Sequence, residues 1–405
     1  MQVLRQHIRK LSKKQFLEIR QMCLHSNSLY NSCLYIVNQF FKETNKYIGL
    51  TNLYHQIKIN IHYVSLPRKC SNQILKLVDK NFRSFFTLLR KKHLGQYSGD
   101  ISTPKYRKPK SEFVLILEKQ QVNIRNNFVK ITKNLKIPFS LDMKGELKQA
   151  IIKPKGGNYY EIHLAYEPIE AEKPKNLDKT KYLSIDLGLD NLATCFSNCS
   201  RDLIISGAPI KSYNQFYNKI KAETQSELKL KNNKHWSKKL NKLSINRENW
   251  INNYFNQSVN KIVEYCIDNH IGTIICGYNE SWKTEMNMGA KNNQNFISIP
   301  HYKLKEKLKN KSATHNISFI LQEESYTSKC SSLDKEKVQK HDKYIGSRVE
   351  RGLFQGSKFQ LNADINGAIN IMRKAIGDAA TFAYKSIERC TVHPVKLLAT
   401  DKNRS

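Results

Sequence analysis

The sequence predicts a mixed α/β chain in two parts: a β-rich unit interrupted by helices, then an α/β unit whose strands end in acidic residues. Three observations predict it. Residues 1–10 alternate apolar and polar as one strand would, and a helical period then holds to about residue 94. From 95 to 170, short β-branched and aromatic segments are punctuated by turn residues. From Leu183 onward apolar strand segments alternate with helical ones, and Asp186, Glu324 and Asp364 each stand at the end of an apolar segment or the start of a helix.

In the helical stretch Tyr30, Leu34, Val37 and Phe41 form one apolar stripe. Ile74, Val78, Phe82, Phe85 and Leu89 form a second, beginning after the start signals Pro67 and Ser71. Basic faces such as Arg90-Lys-Lys-His93 are left for solvent or a polyanion. The polar stretch from Gly95 to Pro109 leads into strands over 113–117, 122–125, 128–131, 148–152 and 159–166, with turns at Asn126-Asn127 and Gly156-Gly157-Asn158. With residues 1–11 these make a small β-barrel (1–11 and 95–170) interrupted by a helical insertion (12–94). The charged run Glu167 to Lys181, with Pro168 and Pro174, reads as a linker, assigned to 171–181. Strands over 183–186, 192–196 and 203–205 precede a long polar helical region to about His270, in which Ile251, Phe255, Val259, Ile262 and Cys266 keep helical spacing. A strand at 273–276, a helix at 301–313 and a strand at 317–321 follow. Strands and helices in this order, with acids at strand ends, are expected of a ribonuclease-H-like fold, while the tail from about 379 to 405 is uninformative.

Composition narrows the partners. Sixty-eight Lys and Arg against 34 Asp and Glu leave a formal charge of +34, which opposes compaction unless a polyanion neutralises it and points to many phosphate contacts. Membrane binding would need an amphipathic or lipid anchor, and none is visible. No window has about 18 consecutive apolar residues, and the first ten residues lack the apolar core of a signal peptide. The expected location is the cytoplasm of a bacterial host, in association with the nucleoid. Nine cysteines, an odd number scattered through apolar segments, suit reduced core residues. Cys195 and Cys199 are the only close pair, and there is no Cys-x-x-Cys, so a four-thiolate zinc site is not expected.

The acids suggest metal-assisted cleavage of a polyanion. Phosphodiester hydrolysis without a covalent intermediate needs a metal-activated water and a second metal on the leaving oxygen, with the ions about 3.5–4 Å apart. Hard cations such as Mg²⁺, or Mn²⁺ in its place, need carboxylates, one of them bridging. Asp186 follows an apolar strand and precedes Gly188, which suits the bridge, although an Asp-Leu-Gly turn would have the same sequence. Asp364 opens the amphipathic segment 365–375, where it could serve the metal or cap the helix.

A set of motifs in fixed order then becomes informative: Ser184-Ile-Asp-Leu-Gly-Leu-Asp-Asn-Leu-Ala, Gly277-Tyr-Asn-Glu-Ser-Trp-Lys, Phe296-Ile-Ser-Ile-Pro-His, Glu324-Ser-Tyr-Thr-Ser-Lys-Cys, Arg351-Gly-Leu-Phe and Asn362-Ala-Asp-Ile-Asn-Gly-Ala. It resembles TnpB, the OrfB-type "transposase" of small insertion sequences, in the family of the ancestors of type V CRISPR nucleases. The resemblance covers about residues 100–378, and the helical part only in outline. It implies a transposon-encoded, RNA-guided DNA endonuclease with a wedge barrel, a helical recognition domain over 12–94, a RuvC-like nuclease domain over 182–324 and 361–378, and a target-nucleic-acid-binding loop over 325–360. In such a protein a guide RNA from the transposon end pairs with double-stranded target DNA beside a short adjacent motif, and one nuclease site cuts both strands.

Two departures from the family pattern matter. Most relatives keep the middle catalytic glutamate at the end of the strand after the long helices, where this chain has Gly277. The resemblance extends to members that use a glutamate three residues before the Thr-Ser, and Glu324 stands three before Thr327. Glu324 is therefore the expected replacement. Glu323 is a weaker one because neighbouring strand residues face opposite ways, and Glu280 and Glu285 are more remote. The second departure is the absent zinc ribbon: only Cys330 stands where relatives have two Cys-x-x-Cys pairs, so 325–360 is expected to hold by packing through Tyr326, Leu333, Tyr344, Leu353 and Phe354. Candidate nucleic-acid contacts are Tyr106, Arg107, Lys108 and Lys110 in the barrel, Trp282 and Lys283, and Lys329, Arg348 and Arg351 in the loop. The alternatives are a guided DNA-binding protein that has lost cleavage and, further off, a strand-transfer transposase.

Overall fold

The computed structural model describes residues 2–140, 143, 145–169, 176–279, 299–350, 352–384 and 394–400. The chain divides into two units, Met1–Ala171 and Glu172–Ser405, each with its own core.

In the first unit β1 (Gln2–His7) pairs antiparallel with β7 (Tyr159–Pro168), β7 with β6 (Gly145–Gly156), and β6 with β2 (Leu115–Glu118). This gives a four-stranded sheet in the order β1-β7-β6-β2. The β6–β7 turn has φ of +76° at Gly156 and +58° at Gly157, left-handed backbone that glycine adopts without strain. A separate three-stranded sheet comprises β3 (Asn123–Arg125), β4 (Phe128–Lys130) and β5 (Lys136–Pro138). Its last strand is too short and polar to show a strand pattern in the sequence.

The insertion between β1 and β2 carries α1 (Lys13–Thr44), α2 (Leu50–Ile57), α3 (Ile61–Val64) and α4 (Arg68–His93). Ser12 and Gln15 close a capping box on α1, and Asn45 ends it in the left-handed conformation. Tyr30, Leu34 and Val37 are buried as their spacing predicts, but Phe41 is exposed and Phe40 packs on the core instead.

The second unit is built on a six-stranded sheet of order β12-β11-β8-β9-β10-β16. Its strands are β8 (Asp178–Asp186), β9 (Asn191–Ser197), β10 (Leu203–Ser206), β11 (Ile271–Tyr278), β12 (Ser318–Glu323) and β16 (Val395–Leu397). β9 runs antiparallel to β8 and β10, whereas β11 is parallel to both β8 and β12. Side chains alternate across the sheet. Leu183, Ile185, Ile274 and Cys276 join a core with α6 (Lys238–Asp268) and α7 (His301–Thr314); Phe196 and Ile275 join another with α8 (Ala363–Thr381).

Three features depart from the sequence expectation. β8 begins at Asp178, inside the stretch read as linker, because its first half pairs with the start of β11. The long polar helical region is two helices, α5 (Ala208–Asn232) and α6, broken at Asn233. Residues 395–397 of the tail add β16, parallel to β10. A small sheet of β13 (Ser347–Glu350), β14 (Leu353–Gln355) and β15 (Gln360–Asn362) precedes α8.

Candidate active site

Asp186 is the last residue of β8, fixed by its antiparallel pairing with Thr194. Next to it in the parallel ladder is the end of β11, where Cys276 lies opposite Ile185 and Gly277 follows. One strand further, Glu324 leaves the end of β12 with its N–H donating to the Tyr278 carbonyl at 3.1 Å. Its side chain returns over Gly277: a Cβ built on that glycine would meet Glu324 Oε2 at 2.6 Å and Ile371 Cδ1 at 2.7 Å. The carboxylate of residue 324 therefore occupies the space that a side chain at 277 would need. Steric exclusion makes the two placements alternatives.

Glu323 faces other company. It accepts hydrogen bonds from Lys374 Nζ at 2.6 Å and from the Ser325 N–H at 2.6 Å. Burial works against its charge, but these bonds overcome it and hold its carboxyl below the usual range. Glu324 is pushed up to about 7, chiefly by burial, with Lys305 opposing and Glu323 adding to the shift. Its Oε2 is buried with no hydrogen-bond partner among the described residues. Asp186 is driven well above the carboxylate range by burial first, then by the charges of Glu324 and Asp364, with Arg348 opposing. The three acids thus share one electrostatic neighbourhood.

Asp364 lies in the first turn of α8. The cap itself is Asn362, whose side chain accepts from the N–H groups of Asp364 and Ile365. Relieved of capping, Asp364 accepts from Asn191 Nδ2 at 2.7 Å and from an Arg348 guanidinium N–H at 2.8 Å. Gly367, one turn on, lets α8 approach the sheet: a Cβ there would come within 2.7 Å of Asp186 Oδ2. Ser184 Oγ donates to the Ala368 carbonyl at 2.6 Å and fixes the same contact from the strand side.

This donor set of crowded carboxylate oxygens, one of them orphaned in the interior, fits a hard divalent cation. Among the described residues no three His, Cys, Asp or Glu side chains yet close on a common metal position; both Asp364 oxygens are turned to Asn191 and Arg348.

The loop before α8 is held differently from expectation. Leu333 and Phe354 are buried, but Tyr326 is exposed, and polar contacts make up the difference. The Glu336 carboxylate is buried and accepts from the N–H of Ser331 at 2.6 Å and of Ile345 at 3.0 Å. It ties together the two stretches where relatives of the resembled family place cysteine pairs. Asp334 accepts from Ser331 Oγ and the Ser357 N–H, and Cys330 Sγ is directed at the carbonyls of Lys337 and Gln339. Asn366 and Asn370 of α8 donate to the Cys330 carbonyl at 2.9 and 2.7 Å.

The basic candidates separate by environment. Arg107 turns inward, donating to Asn27 Oδ1 and lying 3.8 Å over the Phe113 ring, and burial lowers its pKa. Half-buried, it is engaged by contacts within its own unit. Tyr106, Lys108 and Lys110 are exposed. Lys329 is exposed beside the Tyr344 ring, and Arg348 lies on Asp364. Trp282, Lys283, Arg351, Glu280 and Glu285 lie outside the described residues. Sequence reasoning missed Asn191, Lys305, Gly367 and Glu336 as parts of this site. The Asn-Gly-Ala after Asp364 was the one available signal, since a glycine early in a helix marks a close approach.

Residues 163–283 match the OrfB_IS605 family, described as a probable transposase, and residues 301–371 match the Cas12f1-like TNB domain. No curated protein matches the chain by sequence. Among solved structures, the cryo-EM structure of a Cas12f1-sgRNA-target DNA complex aligns with a TM-score of 0.54 at 14% identity, covering 89% of this chain and 83% of that one. A CRISPR-Cas12f ternary complex aligns with a TM-score of 0.38 at 15% identity, over 88% and 81%. The two family matches follow one another through the residues that hold Asp186, Glu324 and Asp364, and over that stretch the chain is similar to OrfB_IS605 (TnpB-type) and Cas12f1-like proteins.

Proposed function

We propose that this chain is an RNA-guided DNA endonuclease whose middle catalytic acid has moved from the end of β11 to Glu324. The observation that carries the proposal is the Glu324 carboxylate lying over Gly277, beside Asp186. The strand order β12-β11-β8-β9-β10 with acids at the β8 and β12 ends supports a RuvC-like, ribonuclease-H-type reading of the second unit. In the first unit, the sheet around β6 and β7 would be the wedge and α1–α4 the recognition helices.

Asp186, Glu324 and Asp364 would hold two Mg²⁺ ions, or Mn²⁺, which when bound supply an activated water and stabilise the leaving oxygen. Asp186, at the end of its strand and near the charges of both Glu324 and Asp364, would hold the ions together with them. Glu324 and Asp364 would complete the shells from either side, Asp364 exchanging its contact with Arg348 for the ion. Arg348 would then be free for a phosphate. Zinc is not required in this reading, because Glu336 and Asp334 cross-link the loop with backbone hydrogen bonds.

Guide RNA and double-stranded DNA are the proposed partners, in keeping with the +34 charge and with the sgRNA and target DNA named in the structure it resembles. No described helix is long and apolar enough to cross a membrane, and the nucleoid of a bacterial host is the proposed setting. A second reading, a guided binder without cleavage, is favoured by the glycine at 277 and the Arg348–Asp364 pair. Sequencing RNA that copurifies with the protein, then assaying target-plasmid cleavage with Mg²⁺, separates the two. A bound element-end RNA with cutting supports the nuclease. The same RNA without cutting supports the binder, and no RNA refutes both.

A further inference from the structure

The helical hairpin of the second unit ends in a tip that the acid site does not use. Residues 229–239 contain Lys229, Lys231, Lys234, Lys238 and Lys239, and no acid occurs between Glu227 and Glu248. All five lysines are exposed, and no acid pairs with any of them among the described residues. Lys238 and Lys239 lie in the first turn of α6, against the helix dipole. Two large apolar side chains stand among them: Leu230 is 87% exposed and Trp236 51%. The tip is nevertheless well formed. Asn233 and Lys234 donate their N–H groups to the Lys229 and Leu228 carbonyls, Gln225 Nε2 donates to the His235 carbonyl at 3.4 Å, and Ser237 caps α6.

The fold also places this tip. β8 and β10 both run antiparallel to β9, so Asp186 and Ser206 end at the same edge of the sheet. α5 leaves that edge at Ala208, and α6 returns to it where Tyr254 Oη donates to the Ser206 carbonyl at 2.6 Å. The stretch between Trp236 and Tyr254, at roughly 1.5 Å per residue, carries the tip up to about 27 Å beyond the edge on which the acids lie. That is roughly eight steps of a nucleic-acid strand at about 3.4 Å each.

We infer that the tip, with Trp236 at its centre, binds single-stranded DNA extending from the acid site, the indole stacking on an unpaired base while the lysines neutralise adjacent phosphates. The inference rests on the proposed nuclease function for the identity of the strand. Unpaired DNA is favoured over duplex because a ring can stack fully only on a base outside the helix. Lysines alone would bind any polyanion and would not require an exposed tryptophan.

The test uses the full chain with Asp186→Asn, which removes cutting, and a fluorescein-labelled 20-nucleotide oligo-dT. Replacing Trp236 by Ala should weaken binding about 5- to 100-fold, as expected for one stacked base, and Trp236→Phe should retain most of the affinity. Replacing Lys234, Lys238 and Lys239 together by Ala should reduce the slope of log K against log salt by about two. A 20-base-pair duplex should lose little affinity with Trp236→Ala. Unchanged oligo-dT affinity, an equal loss with Phe, an equal loss on duplex, or a loss seen only with an RNA oligonucleotide would each overturn the proposal. Unaltered thermal unfolding of these surface variants excludes a folding defect. Because the background is cleavage-dead, failure of the nuclease reading leaves this result independently readable.

Discussion

Replacing Gly277 tests the close packing on which the relocated-glutamate reading depends. A Cβ at this position would lie 2.6 Å from Glu324 Oε2 and 2.7 Å from Ile371 Cδ1, well inside ordinary contact. If the surroundings hold, Gly277→Ala should cost about 1–3 kcal/mol of overpacking, lowering the melting temperature by about 2–4 °C per kcal/mol for a domain of this size. If Glu324 swings aside instead, stability survives but Mg²⁺ affinity falls, because the displaced carboxylate no longer faces Asp186. Thermal unfolding and Mg²⁺ titration calorimetry on the same samples capture both outcomes. The reciprocal experiment moves the acid: Gly277→Glu combined with Glu324→Ala and Ile371→Val should recover part of the cutting lost in Glu324→Ala. A Gly277→Ala protein with wild-type melting, Mg²⁺ binding and cleavage would refute the reasoning.

Three further outcomes follow from the same geometry. Glu324 has an ordinary carboxyl value of 4.5 and one near 7 in the fold, so the native state binds the extra proton and stability from this group falls as pH rises from about 4.5 to 7; metal-free wild type should therefore lose more melting temperature than Glu324→Gln between pH 5 and 7.5, and parallel curves would contradict this. Glu336→Ala strands the buried Ser331 N–H at about 1–3 kcal/mol and releases the more exposed Ile345 N–H, so melting should fall by several degrees, whereas zinc chelation should leave wild-type melting unchanged. Gly367→Ala, whose Cβ would meet Asp186 Oδ2 at 2.7 Å, should weaken cutting at least about tenfold by displacing that carboxylate, measured as single-turnover cleavage.

The strands that position the acids were legible in the sequence because buried parallel strands read as short apolar runs, as in Ile271–Tyr278. Helices with strong stripes were legible for the same reason, and Asp186 and Asp364 were visible as acids at the boundaries of such elements. What escaped had weak local signals. β16 is three residues long and gains its order from β10, and β8 was cut short because Asp178 to Lys181 reads as polar linker while its backbone pairs with β11. Asn362 displaced Asp364 as the cap because either residue suits that role. Glu336 shows the limit on charge: the sequence cannot distinguish a solvated ion from one satisfied inside. The register that sets Gly277 between Asp186 and Glu324 is a three-strand property, so the packing that excludes a side chain there was visible only in the fold.

The most direct measurement is anomalous diffraction from crystals of the chain grown with Mn²⁺. The account predicts two manganese peaks about 3.5–4 Å apart, with oxygens of Asp186, Glu324 and Asp364 as ligands and Arg348 withdrawn from Asp364. Manganese bound to Asp186 and Asp364 with Glu324 outside ligand distance would contradict the central claim that this glutamate has taken the place left empty at Gly277.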